Sequence, residues 1–330
     1  MFSSLRARIL LAALTATTLA LIVNGVASYY TVQQHNTQQV AHNLDAVVRG
    51  NSSALHEWMA SRSTMLNGME EAISSNDPRI ALRQLTTSGD FMATYLSLAD
   101  SGETIFFNGW EPPADFDPRE RPWYQAAAAA QDTIVTAPYV DAQSGDLVVT
   151  FARPFYQNNQ LQAVVGADVN IRDMIAIVQD ISPTPSSFGF LTTGDGSLIA
   201  HPNSELALEP TTVLSDELNA AYIEQLANTK QPQQMQLEGS SKLLLSRPIG
   251  GNSDWQLVVA LDEAEATAGL RAIATTSIVT LLIVAAITAV VFGLLLSLLL
   301  RRLLGVRNAM DNIASGEGDL TQRLPEEGND

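Results

Sequence analysis

Residues 117–169 read DPRERPWYQAAAAAQDTIVTAPYVDAQSGDLVVTFARPFYQNNQLQAVVGADV. Asp117-Pro118 has the form of a helix N-cap followed by proline at the first helical position. Ala126 to Ala130 is a run of the strongest helix former. A short helix is therefore expected here, with Arg121, Trp123 and Tyr124 in it or just before it. Tyr139 and Asp141 close an extended segment, and Ser144-Gly145-Asp146 reads as a turn. Leu147 to Tyr156 reads as a strand, Asn158-Asn159 as a turn, and Leu161 to Val169 as a second strand. A helix laid beside an antiparallel hairpin points to an α+β module.

The same stretch gathers a guanidinium, three aromatics and two carboxylates in Arg121, Trp123, Tyr124, Tyr139, Asp141 and Asp168. These groups suit a small zwitterion. A guanidinium fork takes a carboxylate through two parallel hydrogen bonds, and an indole N–H adds a donor. An ammonium is met by a carboxylate and aromatic faces. Asp168 ends the apolar run AVVGADV, where a desolvated carboxylate without a partner is costly. Each residue also has a plain structural reading: Trp123 as core, Asp141 as a turn former, Asp168 as an N-cap before Ile171.

Working outward, the chain repeats itself. LADSGETI (Leu98 to Ile105) matches TTGDGSLI (Thr192 to Ile199), FARP (Phe151 to Pro154) matches LSRP (Leu245 to Pro248), and VVGAD (Val164 to Asp168) matches VVALD (Val258 to Asp262). All three pairs lie 94 residues apart. Two copies of one antiparallel-sheet module follow, with helices after Asp117 and around Glu217 to Ala227. The second copy lacks a counterpart to Arg121-Pro122-Trp123-Tyr124. Its Arg247 and Asp262 are expected to hold structure, as are the recurring pairs Arg153-Pro154 and Arg247-Pro248. Upstream, Val40, Leu44, Val47, Leu55, Trp58, Met65, Met69 and Ile73 fall near helical spacing, which predicts one long helix from Thr31 to about Ser75.

Two uncharged stretches bracket these modules. Ile9 to Val32 follows Arg6 and Arg8, and Ala272 to Leu300 precedes Arg301 and Arg302. Both exceed the roughly 20 residues that cross a bilayer. Basic flanks stay inside, which puts both termini in the cytoplasm and the region between outside the inner (plasma) membrane. For the first stretch the alternative is a signal peptide cleaved near Val26-Ala27-Ser28.

The 330-residue chain is 46% apolar with a net charge of −17, an acidic balance that argues against nucleic acid. It has no cysteine, so disulfides and thiolate metal sites are out. Its four histidines form no cluster, and neither metal nor cofactor is expected. No GxSxG, HExxH or phosphate loop marks an enzyme.

The segment from Asp117 to Asp168 resembles the first module of the double Cache sensor domains of bacterial chemoreceptors, in the subgroup that binds amino acids. The resemblance implies that Arg121 and Trp123 of the R-x-W-Y element meet the ligand carboxylate. Tyr139, Asp141 and Asp168 would surround its amino group, with Tyr124 part of the same element. Five residues before the arginine the family usually has a tyrosine; here Phe116 keeps the ring and loses the hydroxyl. Tyr95, Phe106, Trp110 and Phe116 are expected wall residues. After the second span, Leu303, Val306, Met310 and Ile313 form a helical stripe, and AMDNIASGEGDLTQRL resembles the first helix and connector of a HAMP linker.

The expected organisation is a cytoplasmic start (1–8), a first transmembrane helix (9–32) and a periplasmic double Cache region (33–271). That region divides into a stalk helix (33–77), a membrane-distal module (78–180) and a membrane-proximal module (181–271). A second transmembrane helix (272–300) and a partial HAMP domain (301–330) follow. The function implied is that of a chemotaxis receptor for an L-amino acid, acting as a homodimer through a parallel HAMP contact. The second HAMP helix and any output domain are not among these 330 residues, as expected either of a fragment or of a receptor that has lost its output half, and a chemotaxis kinase and adaptor would be partners only if such a domain is present. The alternatives are the sensor half of a histidine kinase or nucleotide cyclase, or a receptor for biogenic amines or organic acids.

Overall fold

The computed structural model describes residues 5–73, 77–251 and 253–314. Thr37–Thr267 is one compact unit, and the residues before and after it form another.

The central unit begins on α1 (Leu5–Asn67), followed by α2 (Glu70–Ile73) and α3 (Arg79–Gly89). The expected apolar positions of α1 point inward: Leu44 and Leu55 are buried, and Val40, Val47, Trp58 and Met65 pack against the same core. The helix ends at Asn67 rather than near Ser75. Gly68 and Met69 close a tight turn, their N–H groups donating to the carbonyls of Met65 and Leu66. Glycine lacks the side chain that favours helix continuation.

The first sheet contains β1 (Ala93–Leu98), β2 (Thr104–Phe106), β3 (Ile134–Val135), β4 (Tyr139–Val140), β5 (Leu147–Gln157) and β6 (Gln160–Asn170). Its order is β2-β1-β6-β5-β3, with β4 also on β5. Between β2 and β3, Asp117 caps a 3-10 turn, Pro118–Glu120, by accepting from the Arg119 N–H. A second proline, Pro122, then opens α4 (Pro122–Ala130). Asn158 and Asn159 form the β5–β6 turn at φ 49° and 64°, the left-handed pair a two-residue hairpin requires.

Helix α5 (Ile171–Gln179) leads to the second sheet: β7 (Phe188–Thr192), β8 (Leu198–Ala200), β9 (Gln233–Leu237), β10 (Ser240–Pro248) and β11 (Gln256–Asp262). Helix α6 (Ala220–Asn228) lies between β8 and β9, and α7 (Glu263–Ala266) follows β11. The order β8-β7-β11-β10-β9 repeats that of the first sheet, as the sequence repeat predicts. The repeat is not uniform in register, however. Arg153 faces Val165, whereas Arg247 faces Leu257. The FARP and LSRP matches are thus two residues out of step with VVGAD and VVALD.

One face of each sheet packs on a shared core with α1, α3 and α5, including Leu96, Phe151, Val165, Leu191, Leu245 and Val259. The opposite faces carry separate clusters. In the first module Tyr95, Trp123, Tyr124, Ala152 and Val164 gather beside α4. In the second, Phe190, Ile223, Leu226, Leu244 and Val258 gather beside α6.

In the other unit, Ala268–Leu295 of α8 (Ala268–Ala314) is, among the described residues, the one stretch long and apolar enough to cross a membrane. The expected first span, 9–32, is helical within α1, with Leu19, Ile22, Val23 and Val26 exposed. The expected HAMP stripe lies on α8 as far as Ala314. The HAMP connector, with Leu320 and Leu324, lies outside the described residues.

Candidate functional site

The site is built on the α4 side of the first sheet. Asp168 on β6 faces Ala93 on β1 and Thr150 on β5. It is 0% exposed, and its hydrogen-bond partners come from two strands, β1 and β5. Tyr95 donates its hydroxyl to Asp168 Oδ1 at 2.8 Å, and Thr150 Oγ1 donates to the same oxygen at 2.5 Å. Tyr139 lies 2.6 Å from Thr150 Oγ1, so its hydroxyl supports that of Thr150. Asp168 Oδ2 is buried and receives no hydrogen bond from the protein.

Gly166 makes this geometry possible. It sits opposite Tyr95 in the β1–β6 pairing, and a Cβ there would come within 2.2 Å of the tyrosine ring. Without one, the ring lies across the sheet and its hydroxyl reaches Asp168.

The electrostatics follow from this burial. Desolvation pushes the Asp168 carboxyl up to about 7. The hydrogen bonds from Thr150 and Tyr95 pull the other way, Asp141 adds to the rise, and the charge of Arg121 opposes it. Burial and the neighbouring Asp168 push the Tyr95 and Tyr139 hydroxyls above the usual phenol range, so both remain protonated donors.

Arg121 is half-buried and near enough for its charge to act on Asp168. Its guanidinium donates to the Val140 carbonyl at 3.1 Å, with the rings of Tyr139 and Phe116 at 5.7 and 6.0 Å. Trp123 packs edge-on against Tyr95 at 4.9 Å and is 2% exposed. Phe106, Trp110 and Phe116 continue the aromatic wall from Tyr95 through ring contacts of 4.7 to 6.5 Å.

Two expected residues are engaged differently. Asp141 Oδ2 accepts from the N–H groups of Gln143 and Ser144 and from the Ser144 hydroxyl, so it closes its own turn while lending charge to the site. Tyr124 is buried among Arg119, Asp117 and Tyr156 as electrostatic neighbours, none of which touches Asp168. The N-cap reading of Asp168 passes instead to Asn170, whose side chain accepts from the Arg172 N–H. Thr150 was not anticipated, nor was the bond from Tyr95 to Asp168. A lone polar residue in the apolar run LVVTFA was the available signal for Thr150.

In the second module, Arg247 forms an ion pair with Asp45 of α1 at 2.6 Å. Arg153 donates to Thr133 at 2.9 Å and lies 3.8 Å from Asp132. Both arginines tie elements of the framework together, in different directions.

The methyl-accepting chemotaxis protein PctB of Pseudomonas aeruginosa is 29% identical over 94% of this chain, which spans 50% of PctB. The chain thus covers about half the length of this relative. The ligand-binding domain of PctB, solved in complex with L-Arg, superposes with a TM-score of 0.59 at 25% identity, covering 69% of this chain and 97% of that one. The ligand-binding domain of the Pseudomonas fluorescens chemoreceptor CtaA, solved in complex with L-isoleucine, shares the fold with a TM-score of 0.61 at 22% identity, covering 72% of this chain and 99% of that one. The Cache domain family model matches residues 26–270, from the end of the first apolar stretch to the start of the second. On that match the chain belongs to the Cache-domain family.

Proposed function

We propose that this chain is the sensing half of a transmembrane chemotaxis receptor, and that its first module binds a free L-amino acid. The buried Asp168 carries the reading. One carboxylate oxygen is held by two hydroxyls, the other is buried and unpartnered, and the Arg121 charge acts on the same carboxylate. A ligand ammonium would meet the open oxygen against the rings of Tyr95 and Tyr139. A ligand carboxylate would meet Arg121 and the indole N–H of Trp123. Arg121 would have to exchange the Val140 carbonyl for the ligand, and the Tyr139–Asp141 segment would move with it to admit the amino acid. The wall of Phe106, Trp110 and Phe116 suits the ligand's side chain.

The membrane arrangement belongs to the same proposal. Residues 9–32 and the apolar part of α8 would both cross the inner membrane, with the two modules outside it and the first module farther from the bilayer. The relatives are chemotaxis proteins, and a homodimer with a chemotaxis kinase downstream fits such a receptor.

The test is calorimetric titration of the purified chain with amino acids, their decarboxylated amines and their deaminated acids, on the native protein and on Arg121→Ala. The expected result is binding of the amino acid alone, lost in Arg121→Ala. An amine or acid that binds as tightly as its parent amino acid would refute a two-ended site.

A further inference from the structure

We infer that Lys242 occupies, in the second module, the position that a ligand ammonium takes in the first, so that a tethered cation closes the second module and one open ligand site remains in the chain. This inference rests on the reading of Asp168 as the ammonium acceptor.

The register makes the two places equivalent. Asp168 faces Thr150 across the β5–β6 hairpin, and Tyr95 stands opposite Gly166, two residues before the aspartate. Asp262 faces Lys242 across the β10–β11 hairpin, and Phe188 stands opposite Ala260, again two residues before the aspartate. The chemistry at the two places is complementary. In the first module the neighbours are neutral hydroxyls, and Asp168 Oδ2 has no partner. In the second, Lys242 and Phe188 stand where Thr150 and Tyr95 do, and an ammonium has replaced those two hydroxyls, while Ser240 and Ser187 remain near Asp262.

Lys242 and Asp262 are 3% and 5% exposed. Lys242 Nζ lies 3.1 Å from Asp262 Oδ2, donates to the Ser186 carbonyl, and sits 5.8 Å from the centroid of the Phe188 ring. A carboxylate, a carbonyl and an aromatic face are what a primary ammonium recruits. Asp262 Oδ1 accepts from the Glu265 N–H at 3.0 Å, so both carboxylate oxygens are engaged. The space beyond is filled by Phe190, Leu244 and Val258 against α6, and the module's Arg247 is paired with Asp45 of α1.

Replacing both partners of a structural ion pair by well-packed apolar side chains is often neutral, whereas removing one strands the other as a buried charge. A surrogate ligand predicts selectivity for ammonium. In the full chain in detergent, Lys242→Ala removes the atoms of n-propylammonium. The thermal midpoint is expected to fall in this variant and to recover saturably when n-propylammonium is added. The similarly sized n-propanol should not restore it, and the amine should have no effect on Lys242→Ala/Asp262→Asn. Should Lys242→Ala fold only when made with the amine present, that recovery is itself the rescue. A second variant, Lys242→Thr/Phe188→Tyr, copies Thr150 and Tyr95 and is expected to gain calorimetric binding of n-propylammonium that the native chain lacks. The inference is overturned if the amine neither raises the midpoint nor recovers folded protein in either variant, or if n-propanol restores Lys242→Ala equally well. Amino-acid titration of the native chain reads the first module separately. Its failure would remove the proposed function and leave the rescue result standing.

Discussion

In the first module a neutral threonine faces the last-strand aspartate; in the second a lysine does. Burial pushes Asp168 up to about 7. Asp262, less deeply enclosed, is held below the usual carboxylate range by the Glu265 N–H and by Lys242. The sheets share an order and differ in whether the carboxylate's counter-charge belongs to the protein. On the proposed reading, the module that supplies its own cation closes its site, and the module that withholds it leaves a charge deficit for a ligand to fill, at some cost to its own stability.

The sharpest way to break this comparison is to neutralise each aspartate in turn. Asp262→Asn strands Lys242 as a buried charge, and breaking such a pair costs about 3–5 kcal/mol. Asparagine is also a good N-cap, so the α7 start survives and the loss reports the ion pair. Amino-acid binding should be unchanged at temperatures where the variant is folded. Asp168→Asn should do the reverse. It removes the charge opposite the ligand ammonium, a loss of about 2–5 kcal/mol in binding, or roughly 30-fold or more in affinity. It should not destabilise the ligand-free domain. Thermal unfolding and calorimetry of both variants give four readings. Destabilisation by Asp168→Asn with binding retained would end the contrast.

A pH series sharpens it further. The folded state keeps a proton on Asp168 up to about 7, whereas the unfolded chain releases it in the ordinary carboxylate range. Across that window the folded state binds more protons, so this group's contribution to stability falls as pH rises. The stability gap between Asp168→Asn and the native protein should therefore widen in favour of the variant from about pH 4 to about pH 8. Ligand affinity should run the opposite way, rising by up to about tenfold per pH unit below 7 and flattening above, because the ammonium needs the ionised carboxylate. Binding near neutrality should release a proton, measurable by calorimetry in buffers of different ionisation enthalpy. The Asp262 side behaves conventionally: its depressed carboxyl supplies stability that is lost only as pH falls through its folded value. An affinity flat across the neutral range would mean that Asp168 does not meet the ammonium.

Much of this architecture could be read from local pattern. The proline and alanine signals located α4, the Ser144-Gly145-Asp146 turn and the paired asparagines located the β5–β6 hairpin, and the repeat foretold two sheets of one order. What escaped depended on pairing between distant strands. Tyr95 lies 73 residues from Asp168, and only the β1–β6 register brings its hydroxyl to the carboxylate. The lysine facing Asp262 was hidden by the two-residue slip between modules. The β5–β6 turn is two asparagines and the strand pair shifts register at Phe155/Tyr156, while residues 249–255 connect β10 to β11. Matching letters at a constant offset therefore did not mark matching neighbours.

The smallest expected effect tests the other end of the site. Phe116 is half-buried, packs near Trp110 and Phe106, and holds its ring 6.0 Å from the Arg121 guanidinium. If a ligand carboxylate lies on Arg121, the hydroxyl of Phe116→Tyr gains an acceptor in an aromatic surround. A net neutral hydrogen bond contributes about 0.5–1.5 kcal/mol, so affinity for the amino acid should tighten by roughly 2- to 10-fold. In the ligand-free chain the same hydroxyl has only solvent or the Arg121 region to turn to, and the thermal midpoint should hardly move. The gain should vanish in the Arg121→Ala background, because the carboxylate is then no longer held within reach. A double-mutant cycle by calorimetry measures that coupling. Equal tightening with and without Arg121 would place the ligand carboxylate away from the arginine and leave the second module's lysine as a counterpart to only half of the site.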